Sequence, residues 1–427
     1  MLAPLPSRTV VVVVRAGDGD EHTLSLASVA ITDAQWASIV ERVFDGGTGD
    51  TLEALDRELD GALRAIADRL IPAIAPQLPY IDDGRPGPAG GHLVLVPTGA
   101  MHRLPLHAMP WAPRGIARWD GTTRLVDRYP VSYASTADLL PLVEARRVAP
   151  GGVVSLAPGL GLRPGDVEPH ATVALAVGLA CVARSRRTCE DAPADVVLRL
   201  RAGASRDAIL GQSVLAARRF GFVATHGRAG RAVGSGLLVH AGLPVAAGPG
   251  STPSPAPEPT GTWVTAAELL ARLDLAGVDH LQMLACSTHA DDPAPGDHLS
   301  SLLAALLICG ARSVGGTLWA VNEVTAVLVG LKVGTALIGG ETDKARALRD
   351  ATRWLRLASS EEVASTLAEL GASIAGALPA DDPAHAAVAA LATHVAARSQ
   401  PGDPPFGDVV HWAPYVLHGA PIVGHRS

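Results

Sequence analysis

The chain has 427 residues, with 48% hydrophobic and 4% aromatic side chains. That is enough for two lobes with cores packed from small aliphatic groups. The formal charge of −7 comes with no dense Lys/Arg block, which excludes a nucleic-acid groove. Four scattered cysteines (Cys181, Cys189, Cys286 and Cys309) exclude a disulfide framework and fit a reducing cytoplasm.

No segment reads as a leader or a membrane span. The apolar run Val10 to Val14 is short and bounded by Arg8 and Arg15, so it reads as a first strand. The longest apolar helix, Ala320 to Ile338, carries Glu323 and Lys332 and reads as a core helix.

In chain order, residues 9–15 are a predicted strand. Asp33 and Thr51 are expected to cap helices, the second spanning Leu52 to Ile74 with apolar residues at helical spacing. A Gly/Pro-rich turn over 82–91 leads to a buried strand, 92–97. A strand at 131–134 precedes a helix at 135–146, with Ser135 as its cap. Pro150-Gly-Gly152 marks a lobe boundary, dividing the chain into 1–150 and 151–427.

The second part restarts with a strand at 153–157 and helices at 170–183 and 204–218. Strands follow at 220–225 and 237–240, then a Pro/Gly/Ser-rich exposed loop at 246–261. A helix at 264–273, a strand at 279–285 and a helix at 298–309 stopped by Gly310 come next. A strand at 313–319 and four helices (323–338, 343–357, 360–377 and 384–397) lead to a last strand at 408–417. Strands that alternate with helices, and that read as continuous apolar runs, imply an α/β fold with a buried parallel sheet. No tandem repeat is present. The glycines at 159, 161 and 165 miss the dinucleotide fingerprint, because the third is one position late and follows Pro164.

Two of the apolar runs end on reactive side chains: Phe220-Gly-Phe-Val-Ala-Thr-His226-Gly227 and His280-Leu-Gln-Met-Leu-Ala-Cys286-Ser287. A thiol is mostly protonated at neutral pH, and the thiolate is the nucleophile. An imidazole beside it takes the proton and later returns it to a leaving amine. C-terminal strand ends in an α/β sheet supply the open cleft this chemistry needs. Gly227 has no side chain to block a substrate oxyanion, so the backbone N–H groups of Gly227 and Cys286 are the oxyanion-hole candidates. Each such donor is typically worth about 3 kcal/mol of transition-state stabilisation.

Other readings stand beside this one. A free cysteine also suits an apolar core, and a His-Gly pair can be a plain turn. A metal site of Cys286, His289, Asp291 and His298 lacks a second Cys/His pair at a recognised spacing, so no metal and no cofactor is expected. A Gly-x-Ser-x-Gly elbow is absent. Asp291, Asp292 and Asp297 follow the cysteine, but sequence alone places none of them on the imidazole.

Several blocks in order carry a family resemblance. They are Leu93-Val-Leu-Val-Pro-Thr-Gly-Ala-Met-His-Arg-Leu-Pro105-Leu, Ala204-Ser-Arg-Asp-Ala-Ile-Leu, Phe222-Val-Ala-Thr-His226-Gly227, and Leu281 to Cys286. Gly310-Ala-Arg-Ser-Val-Gly-Gly-Thr-Leu-Trp319 and His411-Trp-Ala-Pro-Tyr-Val-Leu-His-Gly419 complete them. Together they resemble the CHAT-domain family, caspase-like cysteine peptidases related to caspases and separase. The resemblance implies a three-layer sandwich: a central, mostly parallel sheet with helices on both faces. Residues 1–150 would form a pseudo-protease-like lobe, and 151–427 the catalytic lobe.

The resemblance assigns His226 as general base and Cys286 as nucleophile. Ser287 stands where the family often has an acid, and the segment after Gly165 lacks the usual Glu-Ala helix start. Gln282, Met283 and Leu284 precede the cysteine, so nothing there supports a preference for Arg or Lys. Arg228, Asp291, Asp297 and Trp319 are the candidate substrate contacts. Arg228 and Arg231 could face an acidic group or stand solvated. The 246–261 loop lies where caspase-type enzymes are often processed.

The expected function is a cytoplasmic cysteine endopeptidase acting on a protein substrate in regulated proteolysis, such as bacterial defence or cell death. A separate sensor or activator protein would control it, since the chain shows no fused sensor. No nucleic-acid or membrane partner is expected. A non-catalytic caspase-like scaffold and a thiol hydrolase of a non-peptide substrate are the alternatives.

Overall fold

The structure is a computed structural model. It describes residues 1–16, 22–45, 51–78, 91–111, 123–159, 168–186, 196–211, 215, 218–228, 236–240, 261–284, 301–398 and 404–422. The chain opens with a small antiparallel sheet: β1 (Leu2–Pro4), β2 (Thr9–Ala16) and β3 (His22–Val29), in the order β1-β2-β3. Period-2 alternation buries Val11 and turns Val12 and Val14 to the other face, where Leu26 and Leu24 pair with them. On that outer face Val14, Leu24 and Leu26 are 61%, 64% and 67% exposed.

Helix α1 (Asp33–Val40) seals the inner face through Trp36, whose Nε1–H donates to Thr9 Oγ1 at 2.7 Å. Its N-cap is Thr32, where Asp33 was expected. The Thr32 hydroxyl accepts from the Gln35 N–H while the Gln35 side chain accepts from the Thr32 N–H. Helix α2 (Leu52–Ile74) is capped by Thr51 as read, and buries Leu59, Leu63, Ile66 and Leu70.

β4 (Leu93–Leu95), α3 (Leu125–Arg128), β5 (Val131–Tyr133) and α4 (Leu139–Glu144) follow. The helix expected over 135–146 is shorter. Pro141 has no N–H, and its ring would clash with the carbonyl four residues back, so it fits only a first turn. The helix therefore starts at Leu139 and leaves Ser135 outside it. β6 (Val153–Ala157), α5 (Glu168–Ser185), β7 (Val196–Leu200) and α6 (Arg206–Leu210) come next. Helix α6 is confined between its Ser205 cap and Gly211, and Leu215 is helical again, so the expected 204–218 is interrupted at Gly211.

β8 (Phe220–Ala224), β9 (Gly227–Arg228), β10 (Gly236–His240) and β11 (Gly261–Thr265) precede α7 (Ala266–Arg272). A capping box between Thr265 and Glu268 fixes the start of α7, so Val264 lies in β11 and not in a helix. β12 (His280–Leu284), α8 (Leu302–Ile308) and β13 (Ser313–Thr317) lead to α9 (Glu323–Ile338), α10 (Lys344–Leu357), α11 (Ser360–Ala375) and α12 (Pro383–Arg398). After α8, Gly310 takes the left-handed φ of 124° that a helix stop favours. The expected last strand splits into a short helix α13 (Val409–Trp412) and β14 (Tyr415–Gly419). Pro414 stands between the two elements.

The central sheet has the order β4-β5-β14-β13-β12-β8-β6-β7. Every described pairing in it is parallel except β13–β14. The C-terminal ends of β12, β8 and β6 therefore share one edge with the start of β14, where Tyr415 pairs with Thr317. Strands β4 and β5, from before residue 150, enter the same sheet beside β14. Helices cover both faces. On one face α9 presses on the sheet through small residues: Gly330 lies against Leu284 and Leu175, and Gly334 against Leu179 and Phe222. β9, β10 and β11 form a second antiparallel sheet. Among the described residues no helix is long and apolar enough to cross a membrane.

Candidate active site

Strands β8 and β12 are direct parallel neighbours, with Phe220 opposite His280 and Ala224 opposite Leu284. Both strands are fully buried; β8 is an apolar run, while β12 also buries His280 and Gln282, whose Nε2 and Oε1 are 3.2 Å apart. The ladder runs one step further, because the Thr225 N–H donates to the Leu284 carbonyl at 3.2 Å. His226 follows, 5% exposed, at the C-terminal edge. Cys286 lies outside the described residues. It is two residues beyond Leu284 in sequence, as His226 is two beyond Ala224.

The second sheet holds the His226 backbone. The Leu238 N–H donates to the His226 carbonyl at 2.9 Å, and the Thr225 hydroxyl donates to the Leu238 carbonyl. Gly227 pairs with Leu237 and Arg228 with Gly236. The bond from Leu238 to His226 makes Gly227–Leu237 a pair that exchanges no bonds of its own, so the Gly227 N–H points away from β10. Arg228 belongs to the same strand, β9.

Trp319 follows β13 at the same edge. Its Nε1–H donates to the Val410 carbonyl at 3.3 Å and its ring lies 5.7 Å from that of Phe44, so packing fixes it in place. The remaining proposed contacts, Asp291 and Asp297, lie outside the described residues, as do Asp292, His289, His298, Arg231 and the 246–260 stretch. Among the described residues no cluster of three or more His, Cys, Asp or Glu could hold a metal ion.

A cavity of about 20 Å³ sits at this edge between the sheet and helices α5 and α9. Ala224 and Leu284, two residues before His226 and Cys286, form part of its wall. Glu323, in the first turn of α9, also lines it. Nothing in the sequence marked Glu323 as part of this edge, because its place depends on how α9 packs.

At the opposite edge, a row of buried charges fixes the register. Arg219, Asp279 and Arg312 each immediately precede a strand (β8, β12 and β13) and stand side by side. Asp279 lies 3.0 Å from Arg312, 3.5 Å from Arg219 and 2.9 Å from the Lys344 ammonium. A one-residue slip would turn every side chain of a strand to the wrong face, so this row also governs which residues reach the edge that carries His226. A charged residue just before each of three apolar runs was the available signal.

Two thiols are described. Cys309 is half-buried, and burial pushes its pKa up to about 11. Cys181 is half-buried on α5 and donates to the Ser373 carbonyl. Cys181 lies within α5 and Cys309 ends α8, so neither follows a strand.

No curated protein matches the chain. Among solved structures, the separase–securin complex of Saccharomyces cerevisiae matches 99% of this chain at 9% identity with a TM-score of 0.50. The Arg-specific cysteine proteinase gingipain R matches 70% at 8% identity with a TM-score of 0.36. The complex of Porphyromonas gingivalis RgpB pro- and mature domains matches 70% at 9% identity with a TM-score of 0.35. This chain spans 30% of the matched separase-complex chain and 56% of the gingipain chain. The separase likeness supports a caspase-like α/β fold. The CHAT domain matches residues 60–420, and the chain belongs to the CHAT-domain family.

Proposed function

We propose that the chain is a cysteine endopeptidase with His226 as general base and Cys286 as nucleophile. The reading rests on one observation: β8 and β12 are neighbours in a register that pairs Ala224 with Leu284, each two residues before its reactive side chain. The start of α9, with Glu323 in its first turn, lies at the same edge.

In the proposed cycle His226 takes the Cys286 proton and the thiolate attacks the scissile carbonyl. The Gly227 and Cys286 N–H groups hold the oxyanion, and His226 returns the proton to the leaving amine. Water, with His226 as base, then cleaves the thioester. The substrate is a protein, and a separate sensor or activator protein controls access, in a cytoplasmic pathway of defence or cell death. Residues 1–150 act as the non-catalytic lobe and 151–427 as the catalytic one.

Iodoacetamide labelling followed by peptide mass spectrometry tests this. Cys286 should be alkylated much faster than Cys309, and His226→Ala should abolish the difference. Equal rates at Cys286 and Cys309 would support a non-catalytic scaffold.

A further inference from the structure

We infer that Arg201 is a positioning residue for His226: its ion pair with Asp382 holds a left-handed turn that props β10, the strand to which the His226 backbone is bonded. The inference rests on the proposed peptidase reading, which gives His226 its task. Arg201 has a φ of 50° and is the only non-glycine residue with positive φ among the described residues. A side chain makes that conformation costly, so something must hold it. Arg201 Nη2 lies 2.6 and 2.7 Å from the two carboxylate oxygens of Asp382. Asp382 is buried and also accepts from the Ala384 N–H at 3.0 Å, which fixes it to the start of α12.

The register places this turn at the edge that carries His226. Leu200, the last residue of β7, pairs with Ala157, and Leu156 pairs with Val223. Leu200 is therefore level with Ala224, and Arg201 with Thr225, in strands that run the same way. The turn Arg201–Gly203 packs against β10, where the Leu238 N–H donates to the His226 carbonyl. The far end of the segment is tied to the same small sheet: Arg206 pairs with Glu268 in the first turn of α7, directly after β11. A shift at Arg201 is therefore passed to β10 and the His226 backbone. Without Asp382, Arg201 relaxes to a negative φ and the prop is withdrawn.

Two readouts on the full chain test this. Hydrogen exchange followed by peptide mass spectrometry reads the Leu238 amide. Iodoacetamide labelling of Cys286 against pH reads the base: with His226 in place, the inflection should lie below the ordinary thiol value of about 8.5. In Arg201→Ala, peptides covering 236–240 should exchange at least ~5-fold faster while those covering 280–284 stay unchanged. The labelling inflection should move toward the ordinary thiol value. Asp382→Asn keeps an acceptor for the Ala384 N–H, so α12 stays capped, and it should do the same. Arg201→Gly also lacks the ion pair but takes a left-handed φ freely, so it should keep most of the wild-type inflection. A residue that only stabilised the fold would change the fraction labelled and not the inflection. Unchanged exchange at 236–240 in both Arg201→Ala and Asp382→Asn overturns the prop, whatever the dyad does. Faster exchange with an unmoved inflection overturns the positioning role. A wild-type inflection at the ordinary thiol value that His226→Ala leaves in place overturns the dyad reading, and the role of Arg201 toward it.

Discussion

The Lys344 ammonium lies 2.9 Å from Asp279 Oδ1, and neither side chain touches solvent. Arg312 and Arg219 share the same carboxylate, so one buried anion holds three cations. Removing the anion is the costly change, because it strands charge in a low-dielectric interior. Asp279→Asn should lose about 3–5 kcal/mol in urea unfolding. Lys344→Met should lose less, since both arginines still pair the carboxylate.

Two buried histidines predict a loss of stability in acid. Burial holds His107 and His280 down to about 3 from an ordinary value of 6.5, and the Lys344 ammonium adds to the effect at His280. Between those values the unfolded chain binds a proton that the folded chain refuses. Their contribution is therefore complete above pH 6.5 and lost as the pH falls toward 3. Each adds a slope approaching about 1.4 kcal/mol per pH unit within the window. His107→Gln should flatten the fall in urea midpoint between pH 6 and pH 4.

The Thr225 hydroxyl ties the end of β8 to β10. Thr225→Val keeps the shape and leaves the Leu238 carbonyl without that donor. The expected cost is about 1–2 kcal/mol. Labelling of Cys286 should slow several-fold in a protein whose circular dichroism is unchanged, because the His226 backbone is held by the same strand.

Two glycines should respond oppositely to alanine. At Gly310, φ is 124° and an added Cβ would lie 2.8 Å from the Ala276 nitrogen. Gly310→Ala should cost about 2–4 kcal/mol. Gly376 has a φ of −87° and open space around its Cβ position. Gly376→Ala should change stability by less than about 0.5 kcal/mol, read from the same denaturation curves.

The middle of the sheet was legible because β8 is an unbroken apolar run and β12 a mostly apolar one, a pattern that burial on both faces imposes. At its margins β4 was legible and β7 was not. β7 carries Arg199 and is half-buried at the sheet edge, so its pattern is diluted. In the separate N-terminal sheet, β1 and β3 depend on pairing with β2, which no local signal announces. The end of the chain was misread because the apolar residues from Val409 to Leu417 serve a helix and then a strand. The place of His226 just past the end of β8 was legible; the cavity was not, since its walls come from elements more than 200 residues apart, such as Ala171 and Tyr415.

The antiparallel insertion of β14 has a consequence for folding in time. β14 lies between β13 and β5 and alone connects β4 and β5 to the rest of the central sheet. Residues 415–419 are synthesised after every other described strand, so on the ribosome the two blocks of the sheet wait as separate surfaces. Long-range closure of this kind is slow and leaves strand edges open meanwhile. Chains stalled before Tyr415 therefore expose the flanks of β5 and β13, a ready substrate for chaperones, and the sheet becomes continuous only once residues 415–419 have left the ribosome.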